Sequence, residues 1–392
     1  MSQSDFFTQL LEPNGPVALI IKARLRPVGD QDRFQPAGFP DVGHVIYDAP
    51  RPNGQKEKVC IVDSPASMAN HLEAVCLADS SGEKLHSDLD GLPYVICVTD
   101  HPNDPKDKLV VTTTFIEGHR LASDYFLDAR LNEQRFRDVL MKEEFGIREV
   151  KKDSKKDSKK DSKKDSKKDS KKDSEKDSIY FVHPEDWWKI YSAIFKYDPN
   201  SLVHGVMFTK EQIRIPRFLT AHLEAYGASR VGRGGVKFDR LGKTSSGQPI
   251  FAVDEETARE ICATFIVDLA WLRSLGNKER GLNDAQKRLI LGFALWKVRK
   301  ITESPWRYRT QCYLKKDGDL QITLEGSSTT SQMPDVNPFD FDIKELIRNC
   351  EFGSNPVVTR VYYPANELFK VQADEKGSAR QASAEESEVD ED

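Results

Sequence analysis

Residues 17–28, VALIIKARLRPV, open as an unbroken apolar run and then alternate, with Ala23, Leu25 and Pro27 between Lys22, Arg24 and Arg26. That pattern predicts a strand that begins buried and ends with one face turned to a charged partner. Beyond a Gly- and Pro-rich loop at 29–43, it predicts a strand over 58–62 and then a helix with Ser64 as N-cap and Pro65 in the first helical position. Pro65, Met68, Leu72, Val75 and Cys76 form the apolar stripe of that helix; Ser67, Asn70, His71 and Ala74 form a second, small and polar stripe at the same spacing. Weaker strand signals follow at 94–99 and 108–113, then a helix over 121–144. The second half predicts a helix around 184–195, a strand at 201–208, and helical residues after the segment RIPR at 214–217. Two amphipathic helices are expected at 255–274 and 283–301, a hairpin with arms 308–315 and 319–324 turning at 316–318, a helix near 341–350 and a last strand at 356–363. Strands and helices mix without a βαβα rhythm, so the fold class is α+β.

Two segments break the globular pattern. Residues 151–178 are six copies of KKDS and one of EKDS, and residues 373–392 hold eight acids and two bases. Period four sets lysine beside lysine and aspartate beside aspartate on a helix, and nothing in the tract can be buried, so it reads as a disordered insertion. Four segments result: 1–150, the 151–178 tract, 179–372, and the acidic 373–392 tail. The whole chain of 392 residues carries −5; with the tract's thirteen bases against eight acids and the tail removed, the other 344 carry −4. A polyanion would therefore meet a local basic patch and not a global field. No apolar run approaches the roughly 18–20 residues of a membrane helix, and no basic n-region precedes an apolar stretch, so the expectation is a soluble, cytoplasmic protein with no membrane partner. Six scattered cysteines without a CxxC read as buried thiols.

Most enzyme signatures fail. LGKTSSG at 241–247 would need glycine, not Lys237, to complete a phosphate-binding loop. His71-Leu-Glu73 and His222-Leu-Glu224 lack the PCxxC of zinc deaminases, and on a helix residues two apart diverge. There is no HExxH, no GxSxG and no acid cluster at metal-ligand spacing, so no metal, cofactor or catalytic residue is expected. Three basic or polar segments remain. In DRFQPAGFPDV, 32–42, Arg33, Gln35, Phe34 and Phe39 are held by Pro36, Gly38 and Pro40; the loop suits phosphate and splayed bases, and equally suits a turn with both rings in the core. Around Gly232, Gly234 and Gly235 stand Arg230, Arg233 and Lys237, which suit a phosphate or a solvated surface hairpin, with Arg214 and Arg217 extending the patch in sequence. The third is the stripe Ser67, Asn70, His71.

RFQPAGFPDVGHVIYD (33–48), VDSPASMANHLEAVC (62–76) and RIPRFLTAHLEAYGASRVGRGGVKFD (214–239), in this order, resemble the "Cas seven" backbone subunit of the type I-G (formerly I-U) CRISPR interference complex, in the repeat-associated mysterious protein superfamily. The resemblance spans most of 17–365. It implies an RRM-like, ferredoxin-like palm with large insertions, including a thumb-like hairpin. It also implies a non-catalytic role, in which several copies line one CRISPR RNA and present its spacer for pairing with target DNA, beside other subunits of the complex. RNA contacts would fall to Arg33, Gln35, Arg214, Arg217, Arg230, Arg233 and Lys237 on phosphates, with Ser67, Asn70 and His71 lining the groove. The rival is an RRM-like RNA-processing endonuclease with His71, His119 or His222 as general base; a protein-only adaptor is a third possibility.

Overall fold

The computed structural model describes residues 3–39, 43–101, 104–151, 178–232, 255–277, 279–326, 337–353 and 356–368. The chain begins with helix α1 (Gln3–Leu11) and strand β1 (Ala18–Pro27), then β2 (Ile46–Pro50), β3 (Lys56–Asp63), α2 (Pro65–Ala74), β4 (Tyr94–His101) and β5 (Asp104–Thr113). The second half holds α3 (Asp186–Tyr197), α4 (Pro199–His204), β6 (Val206–Phe208), β7 (Ile213–Ile215), β8 (Leu219–Tyr226), β9 (Ser229–Val231), β10 (Glu255–Thr257) and β11 (Glu260–Asp268). After it come α5 (Leu269–Ser274), α6 (Asp284–Glu303), β12 (Trp306–Arg309), β13 (Cys312–Lys316), β14 (Gln321–Glu325), α7 (Ile343–Arg348) and β15 (Val358–Tyr362).

Among the described residues, eight strands form one antiparallel sheet in the order β12-β13-β1-β11-β8-β3-β2, with β14 also on β1. A second sheet runs β5-β4-β15 and ends in a short hairpin at 130–135; β15 pairs with β4 in parallel. The fold is α+β, as the irregular rhythm predicts. β1 carries the expected alternation, with Leu19, Ile21, Ala23 and Leu25 buried and Lys22, Arg24 and Arg26 exposed. Ser64 caps α2 by accepting from Ser67 N, and Pro65 opens it. Asn283 and Gln286 form a reciprocal capping box on α6, whose Leu289–Val298 stretch is buried all round, making it the central helix of the core.

Several expected elements differ. The helix over 121–144 is broken into a 3-10 turn at Arg120–Ala122, a short helix at Asp124–Leu127, a tight hairpin turning on the left-handed Asn132 and Glu133, and a π-helical turn at Val139–Glu144. The strand at 201–208 is α4 followed by β6. The residues after Pro216 form β8, a central strand, and not a helix; 255–268 supplies β10 and β11, and only 269–274 is helical. The expected turn at 316–318 is a bulge: β13 and β14 both pair with β1, whose register passes from Leu25↔Lys316 to Lys22↔Gln321 while Asp317–Leu320 loops out at Gly318 (φ 85°). The true hairpin is β12–β13. Tract residues 152–177 and the tail lie outside the described residues.

No helix among the described residues is long and apolar enough to cross a membrane. Each cysteine is a free thiol, and all but Cys350 are buried. Burial pushes the Cys60, Cys76, Cys97 and Cys312 thiols up to about 12, so they remain neutral packing groups.

Candidate functional site

The loop after β1 is pinned by backbone to three separate elements. Phe34 and Glu256 exchange hydrogen bonds of 2.9 and 2.8 Å, Gln35 N donates to Gln311 O in the β12–β13 turn at 2.9 Å, and Ala37 N donates to Val62 O on β3 at 2.9 Å. Phe34 is 1% exposed, so of the two readings of its ring the core one holds. Pinning at successive residues fixes where Arg33 and Gln35 stand, which a free loop could not do.

Arg33 extends to a pair of buried acids on β10. Its Nε donates to Glu255 Oε2 at 2.9 Å and its Nη1 to Asp32 at 3.1 Å, while half of its side chain stays exposed. The neighbouring Glu256, fully enclosed, accepts from Arg230 Nε at 3.2 Å and faces His44 Nδ1 at 3.1 Å. β9 and β10 pair Arg230 with Glu256 and Val231 with Glu255, so the Gly-rich basic loop leaves from and returns to this same point. Arg233 and Lys237 lie outside the described residues.

At the other end of the pinned loop Asp63, 2% exposed, gathers four donors: Ser64 N at 2.9 Å, Ser67 Oγ at 3.0 Å, His71 Nε2 at 3.1 Å and Arg309 Nη2 at 2.8 Å. Burial pushes the Asp63 carboxyl up, but the His71 hydrogen bond, the Arg309 charge and Ser67 outweigh it and hold the group below the usual carboxylate range. Trp306 Nε1 donates to His71 Nδ1 at 3.3 Å, and Trp306 and Tyr308 meet the imidazole edge-on. The neighbours thus assign the neutral tautomer with hydrogen on Nε2, and both ring nitrogens are engaged. The polar atoms of Ser67 and His71 turn to Asp63, and the two side chains hold the β12–β13 hairpin against α2. Asn70, on the same stripe, is exposed.

Arg214 and Arg217 do not join this patch. The eight-residue β8 separates Arg217 from Arg230 by roughly 25 Å of strand, so continuity in sequence becomes separation in space. Arg214 is exposed on β7 opposite Met207, and Arg217 is half-buried. Burial and the charge of Arg120 lower the Arg217 pKa. Arg120 is itself enclosed, donating to Glu73 at 2.6 and 3.0 Å, and Asn200 Nδ2 joins the same carboxylate at 2.6 Å. Lys297 bridges Asn200 and His204, and Asp198 accepts from Ser201 at 2.6 Å. Burial pushes the Asp198 carboxyl up to about 7 and, with the charges of Lys297 and Arg120, drives His204 well below its ordinary value.

His222 and Glu224 sit on β8, where residues two apart share a face, so the helical argument against their pairing does not apply. Among the described residues, no three His, Cys, Asp or Glu side chains are grouped to hold a metal. Sequence reading missed Asp63, Arg309, Trp306 and the Glu255–Glu256 pair; the alternating bases and rings of Trp306-Arg307-Tyr308-Arg309 were the available signal.

A comparison with curated proteins finds no match. Residues 19–230, more than half of the chain and including the pinned loop, Asp63, α2 and Arg230, match the family described as CRISPR-associated protein GSU0053. The chain belongs to that CRISPR-associated family.

Proposed function

We propose that this chain is the non-catalytic, RNA-binding backbone subunit of a type I-G interference complex, built on an RRM-like palm. Several copies would line one CRISPR RNA in the cytoplasm and present its spacer to target DNA. The observation that carries this reading is the convergence of Arg33, Gln35, Arg230 and the root of the Gly-rich loop on one rim, in a member of a CRISPR-associated family. A guide binder must accept any spacer, so it holds phosphates and leaves base edges free. Half-exposed guanidiniums anchored by buried acids suit that role. Arg214 and Arg217 would engage a different stretch of the guide at the far end of β8.

The nuclease alternative gains nothing from His71, whose two nitrogens are already engaged by Asp63 and Trp306. The test is purification with and without co-expressed CRISPR RNA, followed by nucleic-acid absorbance and particle size. A filament or fixed-size particle holding intact RNA supports the scaffold. Shortened RNA would favour the endonuclease, and a nucleic-acid-free monomer would sink both.

A further inference from the structure

The hairpin that closes on Asp63 has a second side. Trp306 and Tyr308 of β12 turn inward to His71, so Arg307 between them turns outward, and β12–β13 pairing sets it directly opposite Tyr313. One step further along the sheet β13 sets Lys315 opposite Arg26, and β1 continues that face through Arg24 and Lys22. Same-face neighbours on a strand stand roughly 6.6 Å apart and cross-strand neighbours about 5 Å. One aromatic ring and five cations therefore make a continuous stripe from the hairpin across β1.

The stripe is open to solvent. Tyr313 is 47% exposed, and the Arg24 side chain 58%. Carboxylates answer only part of the charge: Arg26 meets Asp30 at 2.8 Å and Asp317 at 3.5 Å, and Arg24 meets Glu260 at 3.4 Å. Among the described residues no carboxylate stands within ion-pair distance of Lys22, Arg307 or Lys315; Arg307 donates to Thr310 Oγ1 at 3.3 Å. The ring's position is set from behind, because the opposite side of the hairpin is fixed by Arg309 on Asp63.

We propose that this stripe is a second nucleic-acid surface, which takes a single strand. Tyr313 stacks on a base, and the flanking cations follow the phosphates on either side of it. The chemistry selects the ligand: an exposed ring needs an unpaired base face, which a duplex hides, and spaced cations track a backbone whatever its sequence. An acidic peptide would match the cations but leave the ring without a role. The proposal does not rest on the Arg33 rim.

The experiment measures binding of fluorescein-labelled oligouridylate and oligothymidylate to the full chain across a salt series. Tyr313→Ala should weaken binding by roughly five- to 150-fold, the range for loss of one stacked base, while Tyr313→Phe keeps it. Lys22→Ala combined with Lys315→Ala should lower the slope of log K against log salt by about 1.4, for two phosphate contacts on a single strand. A 4-thiouridine-bearing RNA should cross-link to the peptide containing Tyr313. Tyr313→Ala that melts like wild type and binds within twofold of it overturns the proposal. So does loss of self-association by sedimentation with probe binding unchanged, which would make the face an interface between copies. Arg33→Ala separates the two sites: if it weakens binding and Tyr313→Ala does not, the rim stands and the stripe falls, and the reverse result removes the rim alone.

Discussion

Asp63→Asn asks whether one buried carboxylate fixes the β12–β13 hairpin to α2. The native group takes four hydrogen bonds at 2.8 to 3.1 Å and is 2% exposed. Asparagine keeps the volume and one acceptor oxygen, so one side of the cluster meets an amide NH₂ in place of an acceptor. Hydrogen bonds to a charged group contribute roughly 1.5–3 kcal/mol each. Arg309, about a quarter exposed, recovers some of its loss from water, which leaves an expected destabilisation of about 2–4 kcal/mol at pH 7. The pH dependence has a definite sign. Because the folded pKa of Asp63 is depressed, its stabilisation is complete above the unfolded value near 3.9 and is lost as pH falls through the lower folded value. Urea unfolding should therefore show a full gap between wild type and variant at neutral pH that closes progressively below about pH 4. A gap under about 0.5 kcal/mol at pH 7, or one that does not narrow on acidification, would refute the assignment of Asp63 as the anchor. A cycle with Arg309→Met should give a coupling above about 1 kcal/mol.

Asp198→Asn should stabilise the protein by about 1–3 kcal/mol at pH 8: with a folded pKa raised to about 7, the native carboxyl loses stability as pH rises from its unfolded value toward 7, and Asn still accepts from Ser201. A variant less stable than wild type at pH 8 in chemical denaturation contradicts this. Phe34→Ala should cost about 3–5 kcal/mol by leaving a core cavity, whereas Phe34→Leu should keep RNA affinity; a large affinity loss with normal stability would mean the ring meets a base. Arg33→Ala and Arg217→Ala should weaken RNA binding uniformly across spacer sequences and add in the double variant, since β8 separates them; unchanged affinity in both removes them from the site. Deleting residues 152–177 should leave RNA assembly intact by gel filtration, and abolished binding would place essential charge in the tract.

Legibility followed the range of the interactions. The β1 alternation, the Ser64 cap and the Asn283 start of α6 are set by residues within a few positions of each other, and each is readable from the chain. LTAHLEAY is built from Leu, Ala and Glu, good helix formers, yet it lies between β11 and β3, and pairing on both edges overrides that preference. Its burial alternates strictly, with Leu219, Ala221, Leu223 and Ala225 inside, so the period-two signal was present but masked by composition. EICATFIVD in β11 is likewise paired on both edges, by β1 and β8, and its Ile, Thr, Phe and Val are strand formers that the helical reading of 255–274 passed over. In the site, Arg33, Gln35 and Arg230 were visible as bases and amides among Gly and Pro. The acids that aim them were not: Glu255 lies 222 residues from Arg33, and Glu256 lies 26 residues beyond Arg230, across the Gly-rich segment; Asp63 and Arg309 likewise stand more than 200 residues apart. Arg214 and Arg217 misled for the opposite reason, closeness in sequence along an extended strand.

Under the proposed function, the pairing of Arg33 and Arg230 with enclosed acids would let a chain of net charge −5 serve a polyanion. Arg33 on Glu255 and Arg230 on Glu256 each commit part of the guanidinium to a buried carboxylate. Side chains whose direction is already fixed would lose little rotamer entropy to a phosphate. The same acids cancel much of the charge at long range, which lowers attraction for polyanions at a distance while preserving strong hydrogen bonds at contact. Under the proposed function such a surface would gain affinity by repetition: each copy would add a few oriented contacts along one strand, and the sum would grow with the number of copies without any one of them becoming a general polyanion trap.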